Sequence, residues 1–118
     1  MKRPGLRVVY LAHPVSGDVP GNLARARRWL AWAIAAHADV APIAPWITQC
    51  EVQDDAHEKQ RARGLRDDCA VVARCDELWL VGGRISAGMR LERVAAEDAG
   101  VLVVDLTRLG EEPPARAA

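Results

Sequence analysis

Short apolar runs alternate along the chain with longer segments in which apolar residues recur every three or four positions. Short runs are typical of strands buried on both faces of a sheet, and the longer spaced pattern is typical of amphipathic helices. The runs predict strands over residues 6–12, 40–44, 78–81 and 101–104. With helices between them, the order β-α-β-α-β-α-β predicts an α/β three-layer sandwich of flavodoxin-like or Rossmann-like type, with a mostly parallel four- to five-stranded sheet.

The stretch 75–92 combines a strand, a glycine-bearing turn and the start of a helix. Gly82 and Gly83 follow the apolar run, and a helical pattern begins at Ser86, which suits an N-cap position. In open α/β sheets this layout binds ligands at the carboxyl ends of the strands. Glu92, on the first or second turn of that helix, is therefore the favoured functional carboxylate. The alternative is a glutamate that only complements the helix dipole, and the residues themselves favour neither reading.

The first half of the chain predicts a central strand, a long helix and an edge strand. Residues 6–12 suit a central strand, whereas Pro42 restricts its own strand to an edge or to irregular pairing. Asn22 is a good N-cap for a helix over 23–37. The inner stripe of this helix is expected to contain Leu23, Ala26, Leu30, Ala33 and Ile34. Trp29 and Trp32 are expected to pack in the core or at a subunit interface.

Residues 48–66 are polar, and their role is harder to assign. Asp55 and Glu58 have the spacing of a capping box. Gly64 is expected to break or bend the following helix, whose second segment covers 65–74. Asp68 in that segment is either a carboxylate that faces the sheet or a solvated one, with equal weight. Trp46, just past the second strand, suits stacking on a planar base or packing of a loop on the core.

The whole chain excludes several classes of function. Its 118 residues suit one domain, predicted over 1–105, with a frayed tail over 106–118. Lysine plus arginine equals aspartate plus glutamate at 16 each, which argues against a nucleic-acid partner. The absence of a membrane-length apolar run or a signal-peptide core predicts a cytoplasmic protein without a membrane partner. The three cysteines suit reduced thiols, and scattered histidines predict neither a metal site nor a cofactor.

Several of these features together resemble the nucleoside 2-deoxyribosyltransferase superfamily, which includes the 2′-deoxynucleoside 5′-monophosphate N-glycohydrolases. The run Val9-Tyr10-Leu11-Ala12 precedes a loop with proline, serine and glycine. Asp68 lies eight residues before Asp76, which enters a strand, and Ser-x-Gly-x-x-x-Glu occurs at 86–92. The resemblance extends over residues 8–104.

By this resemblance Glu92 is the catalytic glutamate, Tyr10 orients it, and Asp68 is the acid that handles the leaving base. Ser86 and Gly88 would line the sugar or its 5′ substituent. His13, Ser16 and Gly17 would belong to a loop that closes over the same end. A carboxylate beside the anomeric carbon stabilises an oxocarbenium-like transition state or traps it covalently, while a protonated second carboxyl group assists departure of the base.

The resemblance implies cleavage or (deoxy)ribosyl transfer at the N-glycosidic bond of a small-molecule nucleoside or nucleotide. The alternative is a catalytically inactive nucleotide-binding sensor module of the same fold. Ser86 stands where the transferases usually carry aspartate, which favours the hydrolases, but Asp18 stands in the loop where those hydrolases bring a basic residue. The resemblance also implies a homodimer or higher homo-oligomer, for which the Trp29 and Trp32 helix is a candidate contact.

Overall fold

Four apolar runs form one parallel sheet in the computed structural model, which describes residues 5–54 and 57–115. The strands are β1 (Arg7–Ala12), β2 (Val40–Ile43), β3 (Glu77–Leu80) and β4 (Leu102–Asp105). They are ordered β2-β1-β3-β4, and every neighbouring pair is parallel. The predicted α/β fold is therefore confirmed, with β1 central and β2 at an edge. Pro42 is tolerated because an edge strand pairs on one side only.

Helices cover both faces of this sheet. They are α1 (Val19–Ala36), α2 (Pro45–Val52), α3 (Glu58–Val72) and α4 (Ala87–Asp98), and a 3₁₀ turn covers Thr107–Leu109. Val9 and Leu11 pack in the same apolar cluster as Trp29 of α1. Tyr10 and Ala12 point to the other face, where their cluster includes residues of α3 and α4. The alternation along β1 thus produces three layers.

Helix α1 begins at Val19, so the prediction of Asn22 as its N-cap is wrong. Asp18 takes that position, and its side chain accepts a hydrogen bond from the Gly21 N–H at 3.2 Å. Asn22 is instead buried, and its amide group donates to the Val15 carbonyl oxygen at 2.8 Å. Asn22 therefore fixes the loop that follows β1 against the helix.

The polar stretch after β2 contains two helices, and the sequence did not predict α2. The predicted break at Gly64 is also wrong, because α3 continues through that residue. A Cβ atom at Gly64 would lie 3.3 Å from the Gln53 side-chain oxygen, so α2 and α3 approach each other there. Asp55, the predicted N-cap, lies outside the described residues; α3 begins at Glu58, with His57 at the N-cap position.

Trp29 lies in the core, as predicted, and cannot serve as a subunit contact because its side chain is fully buried. Trp32 packs edge-to-face against it, with 5.3 Å between ring centroids. Ile34 was assigned to the inner stripe of α1, but it is 62% exposed. The stripe therefore follows Ala26, Trp29 and Ala33, which are the buried apolar residues of the helix.

The segment after β4 is packed through Glu112, so the frayed tail predicted from Leu106 is wrong for these residues. The Trp29 indole N–H donates to the Glu111 carbonyl oxygen at 2.9 Å. Arg28 donates two hydrogen bonds to the Glu112 carboxylate, at 2.7 and 2.8 Å. The strand before this segment was predicted to be buried, yet Leu102 is 60% exposed because β4 is the second edge of the sheet.

Two acidic residues at the amino end of β3 have structural roles. Asp76 accepts a hydrogen bond from the Val8 N–H at 2.8 Å, as expected for a residue far from the ligand edge. Glu77 is 6% exposed and accepts from Arg7 at 2.6 Å and from the Trp79 indole N–H at 2.9 Å. Within the described ranges, none of the helices has both the length and the apolar composition that crossing a bilayer requires.

Replacement of Glu77 tests this contribution to stability. Glu77→Ala leaves the buried Trp79 N–H without an acceptor and removes one of the two carboxylate partners of Arg7, so we expect the free energy of unfolding to fall by about 2–3 kcal/mol. Urea denaturation measures the change. Glu97→Ala, at an exposed position of α4, is the matched control and should change stability by less than about 0.5 kcal/mol. Equal effects of the two substitutions would contradict the role of Glu77.

Candidate functional site

A cleft opens at the carboxyl edge of the sheet, where β1 and β3 lie side by side. From β1 the chain continues to β2, at one edge of the sheet, and from β3 it continues to β4, at the other edge. The position between β1 and β3 is therefore the topological switch point of the sheet. The cleft has a volume of about 680 Å³ including its open mouth. Its walls come from the loop after β1, from α2 and α3, and from the start of α4.

Two buried carboxyl groups line this cleft. Glu92 on α4 and Asp68 on α3 are each 6% exposed. The two helices pack closely because α4 has a glycine in its first turn: a Cβ atom at Gly88 would lie 3.1 Å from a methyl group of Leu65 on α3. This close packing brings the carboxyl groups into one cavity.

Tyr10 lies behind the two carboxyl groups, within β1. Its side chain is fully buried, and its hydroxyl group has no partner at ordinary hydrogen-bond geometry among the described residues. The hydroxyl is nevertheless near both carboxyl groups. Burial raises the pKa of Tyr10 most, and the negative charges of Glu92 and Asp68 raise it further, so the phenol keeps its proton. It can therefore donate that proton to either carboxylate after a small movement.

The two carboxyl groups bind protons more tightly than carboxyl groups in water. Burial raises the pKa of Glu92 to about 7, against the opposing effect of the Tyr10 hydroxyl and with a further increase from the Asp68 charge. Burial also raises the pKa of Asp68 to about 6, while the Gln49 side chain and Tyr10 oppose the increase. Between about pH 6 and about pH 7 the pair therefore holds about one proton. Glu92 has the higher pKa and holds this proton more tightly than Asp68 does, whereas the resemblance assigns the protonated form to Asp68.

His13 and Trp46 form one wall of the cleft and support each other. The rings are stacked with 6.4 Å between centroids and 12° between planes. His13 Nδ1 lies 2.7 Å from the Pro14 carbonyl oxygen, and the Trp46 indole N–H donates to the Leu11 carbonyl oxygen at 2.8 Å. Burial lowers the pKa of His13, which favours a neutral imidazole. Trp46 is 5% exposed, so its main role in the structure is packing between α2 and the core.

The remaining predicted site residues separate into two groups. Ser86, Gly88 and Ser16 line the same cleft as the carboxyl groups. Ser86 is also the N-cap of α4, as predicted, and its hydroxyl oxygen accepts from the Met89 N–H at 3.2 Å. Gly17 does not line this cleft. It borders a neighbouring cavity together with Arg25, Arg84 and other residues.

Sequence reasoning missed the polar wall that α2 and α3 contribute. This wall contains the carboxamide side chains of Gln49, Gln53 and Gln60, and the side chain of Arg61. Gln49 and Gln53 are four residues apart, a spacing that places both on one face of a helix. This four-residue spacing is visible in the sequence, but it indicates a shared helix face only once the segment is known to be a helix.

Three buried side-chain atoms have no hydrogen-bond partner in the described part of the chain, and all belong to this site. They are the Tyr10 hydroxyl oxygen, His13 Nε2 and Asp68 Oδ1. Unpartnered polar atoms are costly in a protein interior and concentrate at functional sites. Among residues 5–54 and 57–115, no group of three or more histidine, cysteine, aspartate or glutamate side chains is arranged to hold a metal ion. The unpartnered atoms thus belong to a buried carboxyl group, a phenol and an imidazole.

Comparison with known families gives one match. Residues 7–105 match the family model described as Domain of unknown function (DUF7768), which covers the whole sheet and the three residues Tyr10, Asp68 and Glu92. The comparison with curated proteins finds no match.

The raised pKa of Glu92 makes a testable prediction about stability. The folded state retains the Glu92 proton between about pH 4.5 and about pH 7, where the unfolded chain loses it, so the free energy of unfolding falls as pH rises through this window. Glu92→Gln removes this ionisation. At about pH 8 we expect the variant to be more stable than the natural chain by about 2–3 kcal/mol, and near pH 4.5 the gain should be close to zero.

Urea denaturation across this pH range measures the difference. Glu97→Gln, on the same helix but exposed, is the control and should show no pH-dependent difference from the natural chain. A gain of Glu92→Gln that is independent of pH would show that Glu92 titrates normally.

Proposed function

The chain belongs to the DUF7768 family, and from the geometry of its site we propose that it cleaves the N-glycosidic bond of a nucleoside or nucleotide. Hydrolysis and transfer of the (deoxy)ribosyl group to an acceptor base share the first half of this reaction. The sequence resemblance to nucleoside 2-deoxyribosyltransferases supports the proposal. The single structural observation that carries it is the burial of Glu92 and Asp68 in one cleft, in front of the Tyr10 hydroxyl.

The proposed reaction begins with ionised Glu92 and protonated Asp68, which is the less populated one-proton form because Glu92 has the higher pKa. The bond between the sugar C1′ and the base nitrogen breaks, and the Asp68 proton passes to the departing base. A Glu92 oxygen stabilises the positive charge at C1′ and forms an ester bond to it. Water then attacks C1′, Asp68 takes a proton from the water, and Glu92 leaves as a carboxylate. An acceptor base in place of water completes a transfer, with no net oxidation or reduction in either case.

Tyr10 has a positioning role in this reaction. Its side chain is held on β1 by full burial, and its hydroxyl is near both carboxyl groups. Donation to Glu92 would orient the carboxylate and favour its ionised form, because a hydrogen bond to a carboxylate lowers its pKa. Movement of the phenolic hydrogen toward Asp68 after proton transfer would stabilise that group in turn.

The sensor alternative explains the pocket but not the carboxyl pair. A binding module for a nucleoside gains little from two buried acids that share a proton, since each ionised group costs stability when it leaves water. Acid–base chemistry near neutral pH needs such groups, because a catalyst works best with a pKa close to the operating pH. The raised pKa values of Glu92 and Asp68 therefore favour an enzyme.

Substitution of the three residues tests the proposal. The protein is incubated with deoxynucleosides and deoxynucleoside monophosphates, with and without an acceptor base, and free base is followed by chromatography. We expect Glu92→Gln to lower kcat by at least about 10³-fold and Asp68→Asn by about 10²–10⁴-fold. Tyr10→Phe should act through Glu92, lowering kcat by about tenfold and raising the pKa of the acidic limb. Glu97→Gln is the control, and binding without base release under every condition would support the sensor instead.

The pH dependence of the reaction follows from the same pair. Below about pH 6 both carboxyl groups are protonated and Glu92 cannot stabilise C1′; above about pH 7 both are ionised and no acid remains. We therefore expect a narrow bell-shaped profile of kcat/KM with limbs near these two values. A profile that stays flat between pH values of about 5 and about 9 would contradict a role for the pair as acid and nucleophile.

A further inference from the structure

The neighbouring cavity, which Gly17 and Gly82 border, adjoins the cleft at Ser16, because Ser16 lines both spaces. Its volume is about 480 Å³ including its open mouth. A Cβ atom at Gly82 would lie 2.7 Å from Nε2 of His13, which lines the cleft, so the walls of the two spaces are also in contact there. The cavity is thus close enough to receive a substituent of a ligand that lies in the cleft.

Two guanidinium groups from different elements border this cavity. Arg25, half-buried on α1, donates to Asn22 Oδ1 at 2.7 Å. Arg84, exposed in the loop after β3, makes one long contact of 3.4 Å with the Ser16 carbonyl oxygen. Since a guanidinium group has five N–H donors, both arginines retain donors for a ligand.

The carboxylates at this cavity do not pair with the two arginines. Asp18 and Glu111 border the same space, yet neither arginine forms an ion pair with a carboxylate of residues 5–54 and 57–115. Asp18 caps α1 by accepting from the Gly21 N–H, and Glu111 is exposed to solvent. The positive charges of Arg25 and Arg84 are therefore available to an anion.

The lowered pKa of His13 shows which charges dominate where the two spaces meet. Burial is the main cause, and the charges of Arg25 and Arg84 lower the pKa further. The charge of Glu112 opposes them with a smaller effect than either arginine has, and neither Asp18 nor Glu111 is among the causes. On the side of the cleft, the cavity is therefore cationic.

A phosphate group matches these properties. Arginine binds phosphate through two parallel, charge-assisted hydrogen bonds, and a neutral hydroxyl group would leave both positive charges without a counter-ion. In a nucleotide, the 5′ oxygen lies across the sugar ring from C1′. A phosphate on that oxygen can therefore leave the cleft while C1′ stays beside Glu92.

We propose that Arg25 and Arg84 hold the 5′-phosphate of the substrate, so that the chain acts on nucleotides in preference to nucleosides. The inference rests on the proposed function for the position of the sugar. It goes beyond that function by choosing between the two substrate classes. It also differs from the resemblance, which points to Ser86 and Gly88 for the 5′ substituent, since the lining of this cavity includes neither residue.

A substrate pair that differs only in the phosphate tests the inference. For the base that is released fastest, we expect kcat/KM of the deoxynucleoside 5′-monophosphate to exceed that of the deoxynucleoside by about 100-fold, since each charge-assisted contact contributes about tenfold. Arg25→Gln and Arg84→Gln should each lower this ratio by about tenfold. In the double variant the ratio should fall to within about threefold of one.

Arg27→Gln is the matched control and should leave the ratio unchanged. Arg27 lies two residues from Arg25 on α1, is exposed and pairs with Glu51 instead of bordering the cavity. Turnover with a ratio near one, or with a ratio that neither single arginine variant lowers, would overturn the inference and leave the proposed reaction intact.

Binding of inorganic phosphate tests the site without any turnover. The ring signals of the three histidines are followed by NMR during the titration. We expect the signals of His13 to shift with a dissociation constant in the millimolar range, and those of His37 and His57 to serve as internal references. His37 packs against Trp32 and Trp79, and His57 is exposed at the start of α3.

The shift of His13 should be lost in Arg25→Gln/Arg84→Gln, and that result supports the phosphate site even if no substrate is turned over. If the double variant does not fold, each single variant should weaken phosphate binding by about tenfold. An unchanged His13 signal in the natural chain, or equal binding by the natural chain and the arginine variants, would overturn the inference.

Competition shows whether the bound phosphate belongs to the substrate. Inorganic phosphate should raise KM of the monophosphate without changing kcat, and it should leave kcat/KM of the deoxynucleoside unchanged. A fall in kcat of the monophosphate at constant KM would mean that the cavity takes a free anion apart from the substrate, which would overturn the inference.

Discussion

The burial of two carboxyl groups beside a phenol is the constraint on which the rest of the structure depends. Asp68, Glu92 and Tyr10 are each almost or fully excluded from solvent. Ionisation of such groups is costly, and one unit of pKa shift corresponds to about 1.4 kcal/mol. A domain of this size is stable by only about 5–15 kcal/mol, so the site consumes a large share of what the core provides. The fully buried strand β3 and the apolar clusters on both faces of the sheet offset that cost.

The positively charged residues are placed so that the pKa values of Glu92 and Asp68 stay raised. Arg25 and Arg84 lie by a neighbouring cavity on the other side of His13, where they contribute to the lowered pKa of the imidazole. Within the described residues, no arginine, lysine or histidine is a cause of the pKa shifts of Glu92 and Asp68. An arginine close to either carboxyl group would lower the pKa of that group and so change the difference between the two pKa values. His13 thus lines the cleft of the two carboxyl groups and is also affected by the arginines that border the neighbouring cavity.

The sequence was sufficient for those features that depend on local pattern. Strands buried on both faces are continuous apolar runs, so β1 and β3 could be located, and Pro42 correctly placed β2 at an edge. The convergence of Tyr10, Asp68 and Glu92 followed from a resemblance to known sequences. No pattern in the chain itself brings α3 and α4 together. That contact arises where Gly88 meets Leu65, and a sequence does not show which glycine will face a partner.

The errors concern features that only the assembled fold determines. Helix α2 has only eight residues and buries only Trp46 and Ile47, so its pattern is too short to distinguish from a loop. Asp18 and Asn22 are both suited to the N-cap position of α1. The Asn22 side chain instead donates a hydrogen bond to the preceding loop, and Asp18 is the N-cap. The exposure of β4 and the packing of residues 106–112 depend on neighbours that are distant in sequence, such as Trp29.

The packing of α3 against α4 sets the relative positions of the two carboxyl groups independently of the connecting segments. Asp68 and Glu92 are both placed by helix backbones that pack against each other at Gly88. Insertions or deletions between α2 and α3, or in the loop between β1 and α1, can therefore change the shape of the cleft mouth without moving one carboxyl group relative to the other. Changes in these loops would thus alter what enters the cleft while the two carboxyl groups keep their relative positions.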